Sequence, residues 1–150
     1  MILVDANFLF HAIYPEGPEH RACRKLLEQW SGGDAPWYTT WSVLYEFLRI
    51  TTHPRVLEKP WPLERAVGFV RTLVTSGGLR VLEHTEEHLE LLTDCVRSDP
   101  SLRGSILHDL HIAVVMREHG IRRIVTRDRH FHAFDFVEVV DPLKLARSKS

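Results

Sequence analysis

Four carboxylates stand where the apolar pattern of the chain does not call for them. Asp5 directly follows the apolar run Ile2-Leu3-Val4, and Asp128 lies two residues after Ile124-Val125-Thr126. In an open parallel sheet, ligands collect outside the carboxyl ends of the strands, so acids at two strand ends can meet in one crevice. Glu46 is three residues after Val43 and four before Ile50, inside the helical stripe of Val43, Phe47 and Ile50. Asp109 is likewise three after Ile106 and four before Ala113, on the stripe of Ile106, Leu110, Ala113 and Val114. Each acid has an ordinary alternative: Asp5 a helix cap, Asp128 the start of a turn, and Glu46 or Asp109 the partner of an arginine, with Arg49 within helical reach of Glu46. Taken together they are harder to explain that way. A buried unpaired carboxylate costs several kcal/mol, and no lysine lies within either stripe. Clustered acids repel and raise one another's pKa unless a cation is present. A hard divalent ion such as Mg²⁺, which takes oxygen ligands and keeps several waters, resolves the conflict.

The elements that must position these acids are legible as an alternation. Residues 2–4, 37–40, 79–82, 124–126 and 136–140 read as short buried strands. Residues 20–30, 42–51, 63–75, 85–98 and 106–119 read as helices. Ser42 and Thr85 are the expected N-caps, and Gly77-Gly78 and Gly120 the stop signals. Residues 8–14 are apolar and stop at the loop Pro15-Glu16-Gly17-Pro18, and residues 53–62, with three prolines, form a loop. Strands alternating with helices predict an α/β domain with a mostly parallel sheet. The strands are apolar runs rather than period-2 alternations, as expected when both sheet faces are covered. No internal linker or repeat interrupts the chain, which reads as a single domain over residues 1–150.

Composition narrows the classes. The chain has 150 residues, 44% of them hydrophobic and 26% charged, which suits one globular domain burying roughly 68–70% of its unfolded surface. No apolar run approaches a membrane span. The start lacks a signal peptide, so a cytoplasmic location is expected, and disorder is expected only at residues 148–150. Cys23 and Cys95 are too few for a disulfide framework and read as small buried thiols. With Lys+Arg 19 against Asp+Glu 20 and a net charge of −1, the overall field does not attract nucleic acid. Any polyanion contact needs a metal or a local patch, for which Arg122, Arg123, Arg127 and Arg129 are the candidates. The alternative for these four is a solvated rim. Trp37, Tyr38, Trp41 and Trp61 offer stacking surfaces, with core or interface packing the commoner use.

In the order and context of its motifs the chain resembles the PIN-domain ribonucleases, and within them the VapC toxin branch of bacterial toxin–antitoxin pairs. The resemblance rests on Val4-Asp5-Ala6-Asn7, on Glu46 in Leu44-Tyr45-Glu46-Phe47, on Asp109 in an apolar helix, and on Thr126-Arg127-Asp128-Arg129-His130-Phe131. Glu46-Phe47-Leu48-Arg49 and Thr52-His53-Pro54-Arg55 add to it, and nearly the whole chain is covered. It implies a three-layer α/β/α PIN-like domain with a mostly parallel central sheet. It also implies a Mg²⁺-dependent endoribonuclease, with Mn²⁺ as the other candidate ion. It carries metal-binding and catalytic roles onto Asp5, Glu46, Asp109 and Asp128, and substrate-binding or supporting roles onto Asn7, Thr126 and Arg127. An RNA substrate, a homodimer and a cognate antitoxin whose tail fills the groove are the implied partners. The chain departs from the family in Leu110-His111, where Ala commonly follows the third acid, which bears on the shape of the pocket.

The chemistry expected of such a site is in-line displacement at phosphorus, with one ion activating water and a second stabilising the leaving oxygen. Asp5 and Asp109 are expected to hold the principal ion, Glu46 to position the water, and Asp128 to complete the set. The alternative is a non-catalytic scaffold that binds RNA or protein. Zinc hydrolysis through His108/His111 or His130/His132 lacks an H-E-x-x-H motif. A haloacid-dehalogenase-like phosphatase needs an acid where Asn7 stands, and a dinucleotide fold needs a G-x-G-x-x-G after the first strand.

Overall fold

The computed structural model describes residues 1–148, the dipeptide 149–150 lying outside the described residues. Strands β1 (Ile2–Val4), β2 (Trp37–Thr40), β3 (Leu79–Leu82), β4 (Arg123–Val125) and β5 (Glu138–Val140) form one sheet in the order β3-β2-β1-β4-β5. Every pairing is parallel, with Leu3 opposite Tyr38 on one side and Ile124 on the other. The helices are α1 (Ala6–Ile13), α2 (His20–Ser31), α3 (Trp41–Thr52), α4 (Leu63–Thr75), α5 (His88–Ser98), α6 (Ile106–Glu118) and α7 (Pro142–Ser148). Ser148, expected in a disordered tail, closes α7.

Right-handed crossovers assign the layers. The steps β1 to β2 to β3 run one way across the sheet and carry α1 to α4 on one face. The steps β3 to β4 to β5 run back and carry α5 and α6 on the other. Packing agrees: α1 lies on α2 and α3, α2 on α7, and α5 on α6. This is the expected three-layer α/β/α domain. The strand order reverses between β1 and β4, and that switch point is where such sheets open a ligand crevice.

The core is built from the residues that made the strands and stripes legible. Leu3, Val4, Ile124 and Val125 fill the sheet centre, Phe8 and Leu9 come from α1, Val43, Leu44 and Phe47 from α3, and Leu110, Ala113 and Val114 from α6, all essentially buried. Gly120 (φ 66°) follows α6 in the left-handed conformation that ends a helix without a Cβ clash.

Two expected caps move. Helix α3 begins one residue early and is capped by Thr40, whose hydroxyl accepts from the Val43 N–H at 3.2 Å. Thr40 ends β2, so strand passes directly into helix and Ser42 sits inside the first turn. Helix α5 begins at His88 rather than at Thr85, because Thr85 gives both its backbone N–H and its hydroxyl to Glu118 (2.7 and 2.8 Å). No described helix is long and apolar enough to cross a membrane.

Candidate active site

Asp5 is the first residue after β1 and the N-cap of α1, so the carboxylate expected at a strand end also begins a helix. Its Oδ1 accepts from the Ala6 N–H at 2.8 Å and its Oδ2 from the Thr126 hydroxyl at 2.8 Å. Thr126 follows β4 on the other side of the switch point and is 1% exposed. Its oxygen accepts from Asn7 Nδ2 (2.8 Å) and from the Asp128 N–H (2.9 Å). One proton donated and two accepted saturate a threonine hydroxyl. Thr126 therefore fixes Asp5, Asn7 and the Asp128 backbone relative to one another. Asn7 returns to the same loop, its Oδ1 accepting from the Arg127 N–H at 3.4 Å.

Asp5 is buried and, among the described residues, has no lysine or arginine partner. Burial, abetted by the charges of Asp109 and Asp128, pushes its pKa up to about 6 against the hydrogen bonds from Thr126 and Ala6. Asp109, in the first turn of α6, is also pushed up to about 6, by burial first and then by Asp128, with His130 and His108 pulling the other way. Asp128 caps the short 3₁₀ turn Arg129–Ala133, its Oδ1 accepting from the His130 N–H at 2.9 Å. That turn brings the His130 ring back to 3.2 Å from Asp128 and 3.6 Å from Asp109. One donor atom from each of Asp109, Asp128 and His130 lies within 4.8 Å of the others.

Glu46 projects from α3 into the same cleft but is not charge-starved. Arg49, one turn on, grips both its oxygens, Nε on Oε2 at 2.8 Å and Nη2 on Oε1 at 2.6 Å. That pairing, first among the causes, holds the Glu46 carboxyl below its ordinary range. The pair is half in solvent (Glu46 44%, Arg49 60% exposed). Among the described residues no lysine neutralises Glu46, but the ordinary alternative weighed for it, an Arg49 partner, is what the structure has.

Asp5, Asn7, Glu46, Asp109 and Asp128 line one cleft of about 430 Å³, together with Arg49. Ser42, Ser105, His108 and His130 join them. The donor set fits a hard divalent cation: oxygen-rich, with an uncompensated buried acid at its floor. Leu110 is turned into the core at 2% exposure, and neither it nor His111 lines the cleft. The two departing residues therefore form no part of the cleft wall.

Other expectations fall elsewhere. The Arg127 guanidinium is held by Glu19 at 2.6 Å and lies 3.8 Å from Asp141, outside the cleft lining. Arg123 pairs with Glu138 at 3.5 Å. Trp37 is buried, while Trp41 is 47% exposed. The histidine pairs weighed for zinc do not act as pairs: His108 and His130 join the carboxylates, and His111 turns to His84 and His88. His130 was missed as a site residue although its spacing, two after Asp128, is that of an Asx-type turn.

Against known proteins, the family described as "PIN domain" matches residues 2–137. Ribonuclease VapC48 of Mycobacterium tuberculosis is 30% identical over 139 residues, 92% of this chain and 94% of that protein. Ribonuclease VapC25 of the same organism is 32% identical over 150 residues, 95% and 99% of the two chains. Among solved structures, Mycobacterium tuberculosis VapC20, described as a sarcin-ricin loop cleaving toxin, superposes with a TM-score of 0.66 at 24% identity, covering 94% of this chain and all of that one. VapBC2 of Rickettsia felis, bound to a DNA fragment from its promoter, gives 0.65 at 14% identity, covering 93% and 98%.

Proposed function

Because this chain belongs to the PIN-domain family, in its VapC branch, we propose that it is a divalent-metal-dependent endoribonuclease, the toxin of a VapBC-type toxin–antitoxin pair. Asp5, Glu46, Asp109 and Asp128 form the catalytic and metal-binding set. The observation that carries the reading is Asp5: a buried, hydrogen-bonded carboxylate at the sheet's switch point, near two further acids and, among the described residues, with no lysine or arginine paired to it.

Mg²⁺, or Mn²⁺ in its place, would be held by Asp5, Asp109 and Asp128, and when bound it supplies charge neutralisation and an activated water for in-line displacement at phosphorus. The chain's own residues do the positioning. Thr126 aims Asp5 and, through Asn7, locks β1 to the loop after β4. Glu46, kept ionised by Arg49, is the hydrogen-bond acceptor that orients the attacking water. Arg49 is the arginine of the cleft lining and meets an RNA phosphate there. Arg127 supports the site from behind, fastening its loop to Glu19 in α1's neighbourhood. The partners are RNA, a cognate antitoxin that covers the groove, and a second copy of the chain in a homodimer.

Incubation of the full chain with total RNA tests this. Cleavage that needs added Mg²⁺ or Mn²⁺, stops with EDTA and disappears in a folded Asp5→Asn variant is the expected result. EDTA-resistant cleavage, or full activity of Asp5→Asn, refutes the site. RNA binding without cleavage under every metal condition supports the scaffold alternative.

A further inference from the structure

We propose that His84, His88 and His111 form a second metal site, chemically distinct from the carboxylate cleft, that takes Zn²⁺ or a similar borderline divalent ion. None of the three lines that cleft. One ring nitrogen from each lies within 4.8 Å of the other two. His84 comes from the turn after β3, His88 from the first turn of α5 and His111 from α6. The three rings cluster with centroids 4.3, 4.9 and 5.7 Å apart.

The second nitrogens carry the argument. His88 Nδ1 meets Glu118 Oε2 at 2.8 Å, and His111 Nδ1 meets Ser42 Oγ at 3.1 Å. Each of these rings is thereby held at one nitrogen, leaving Nε2 for an ion. A carboxylate behind a ligating histidine is the usual supporting contact of zinc sites, because it fixes the tautomer and raises basicity. The Glu118 side chain is itself closed off from solvent and takes two further hydrogen bonds from Thr85. His119 Nε2 lies 2.7 Å from the Glu83 carbonyl and holds the same turn from its other side. The frame that carries the ligands is therefore set before any ion arrives.

His84 Nε2 and His111 Nε2 face each other at 2.6 Å. Only one of them can carry the shared proton, so at least one lone pair is directed into the cluster. In a tetrahedral site with Zn–N of about 2.0–2.1 Å, neighbouring ligand nitrogens lie about 3.3 Å apart. The two rings need to part by less than an ångström, and His84 lies on the exposed side of the cluster. Three neutral imidazoles suit Zn²⁺ and its first-row neighbours and are poor ligands for Mg²⁺. His84 and His111 line a hollow of about 300 Å³ beside Trp41 and Leu82, which gives an ion access to the cluster. An ion there joins the β3–α5 turn to α5 and α6. Through His111 and Ser42, which lines both hollows, it also steadies the first turn of α3 beside the nuclease cleft.

The full chain, stripped with EDTA and returned to excess Mg²⁺, is titrated with Zn²⁺ by calorimetry and with Co²⁺ by visible absorption. Expected are one Zn²⁺ per chain, a tetrahedral Co²⁺ spectrum and a Zn²⁺-dependent rise in Tm. Affinity falls at least tenfold in His84→Ala, His88→Gln and His111→Gln, and is unchanged in Asp109→Asn/Asp128→Asn. Absence of Zn²⁺ binding, unchanged affinity in His84→Ala, or loss only in the double acid variant overturns the proposal. Should His111→Gln fail to fold by circular dichroism, His84→Ala decides alone, since its side chain is exposed and leaves the core intact.

Discussion

The buried acid at the head of α1 makes metal-free protein pay for its own active site, and the size of that penalty follows from the structure. Burial raises the Asp5 pKa from its ordinary 3.8 to about 6. A raised folded-state value means that the folded protein holds the proton more tightly than the unfolded chain. Stability is therefore unaffected by this group below about pH 4 and declines as pH rises through 6. About 2 units at 1.36 kcal/mol each gives roughly 3 kcal/mol lost by pH 8. Asp5→Asn removes that slope. It also turns an amide N–H toward the Thr126 hydroxyl, whose acceptor sites are already taken by Asn7 and Asp128, a mismatch of about 1–3 kcal/mol at every pH. The absolute stability of the variant is thus a near-cancellation, while the difference in slope is not. Urea unfolding in EDTA at half-unit steps from pH 4.5 to 8 isolates it: the unsubstituted chain should lose about 2 kcal/mol relative to Asp5→Asn across that window, nearly all of it below about pH 6.5. Added Mg²⁺ at pH 8 should restore stability only to the unsubstituted chain, by mass action on the folded state. Parallel curves for the two proteins refute the assignment of Asp5 as a desolvated carboxylate, and equal stabilisation by Mg²⁺ refutes it as a ligand.

Thr126→Val removes a hydroxyl that satisfies three groups at once. It should lower stability by about 2–4 kcal/mol and abolish cleavage, with Thr126→Ser restoring both, as denaturant titration and RNA assays read out. Arg49→Gln breaks a half-exposed pair and should change stability by less than about 1 kcal/mol while reducing cleavage at least tenfold; an unaltered rate removes Arg49 and the Glu46 geometry from the mechanism. Leu110→Ala, in the core behind Asp109, should cost about 2–5 kcal/mol and leave the Mg²⁺ affinity of the folded protein unchanged. Burial pushes the Cys23 thiol up to about 12, so it should resist alkylation at pH 8 in native protein and react on unfolding, as mass spectrometry of the labelled chain reports.

What could be read in advance and what could not divides along a physical line. The strand run Ile2-Leu3-Val4 and the stripes of α3 and α6 are periodic signals, and periodicity is local. Acids that interrupt it were visible for that reason, and the parallel order that brings Asp5 beside Thr126 follows from connection rules acting on those elements. Side-chain partnership is not local. That Arg49 closes on Glu46, that Glu118 draws Thr85 away from its helix, and that Thr126 joins the Ala6 amide in fixing Asp5 all depend on where a flexible or hydroxylated group settles after the layers pack.

The histidines show the same division most sharply. His108 and His111 share a helix at a spacing that suggests a common ligand, yet α6 presents His108 to the acidic cleft and His111 to α3 and the β3–α5 turn. Three residues of separation leave the two side chains about 60° apart around a helix, enough to put them on either side of the boundary between two adjoining hollows. The partners of His111 lie 23 and 27 positions away, and no periodic pattern links them. A single helix, buried on its remaining face by Leu110, Ala113 and Val114, thereby separates an oxygen-rich cleft from a nitrogen-rich one. Ions of different hardness can occupy the two without competing, which is why excess Mg²⁺ should leave Zn²⁺ binding at the histidines intact.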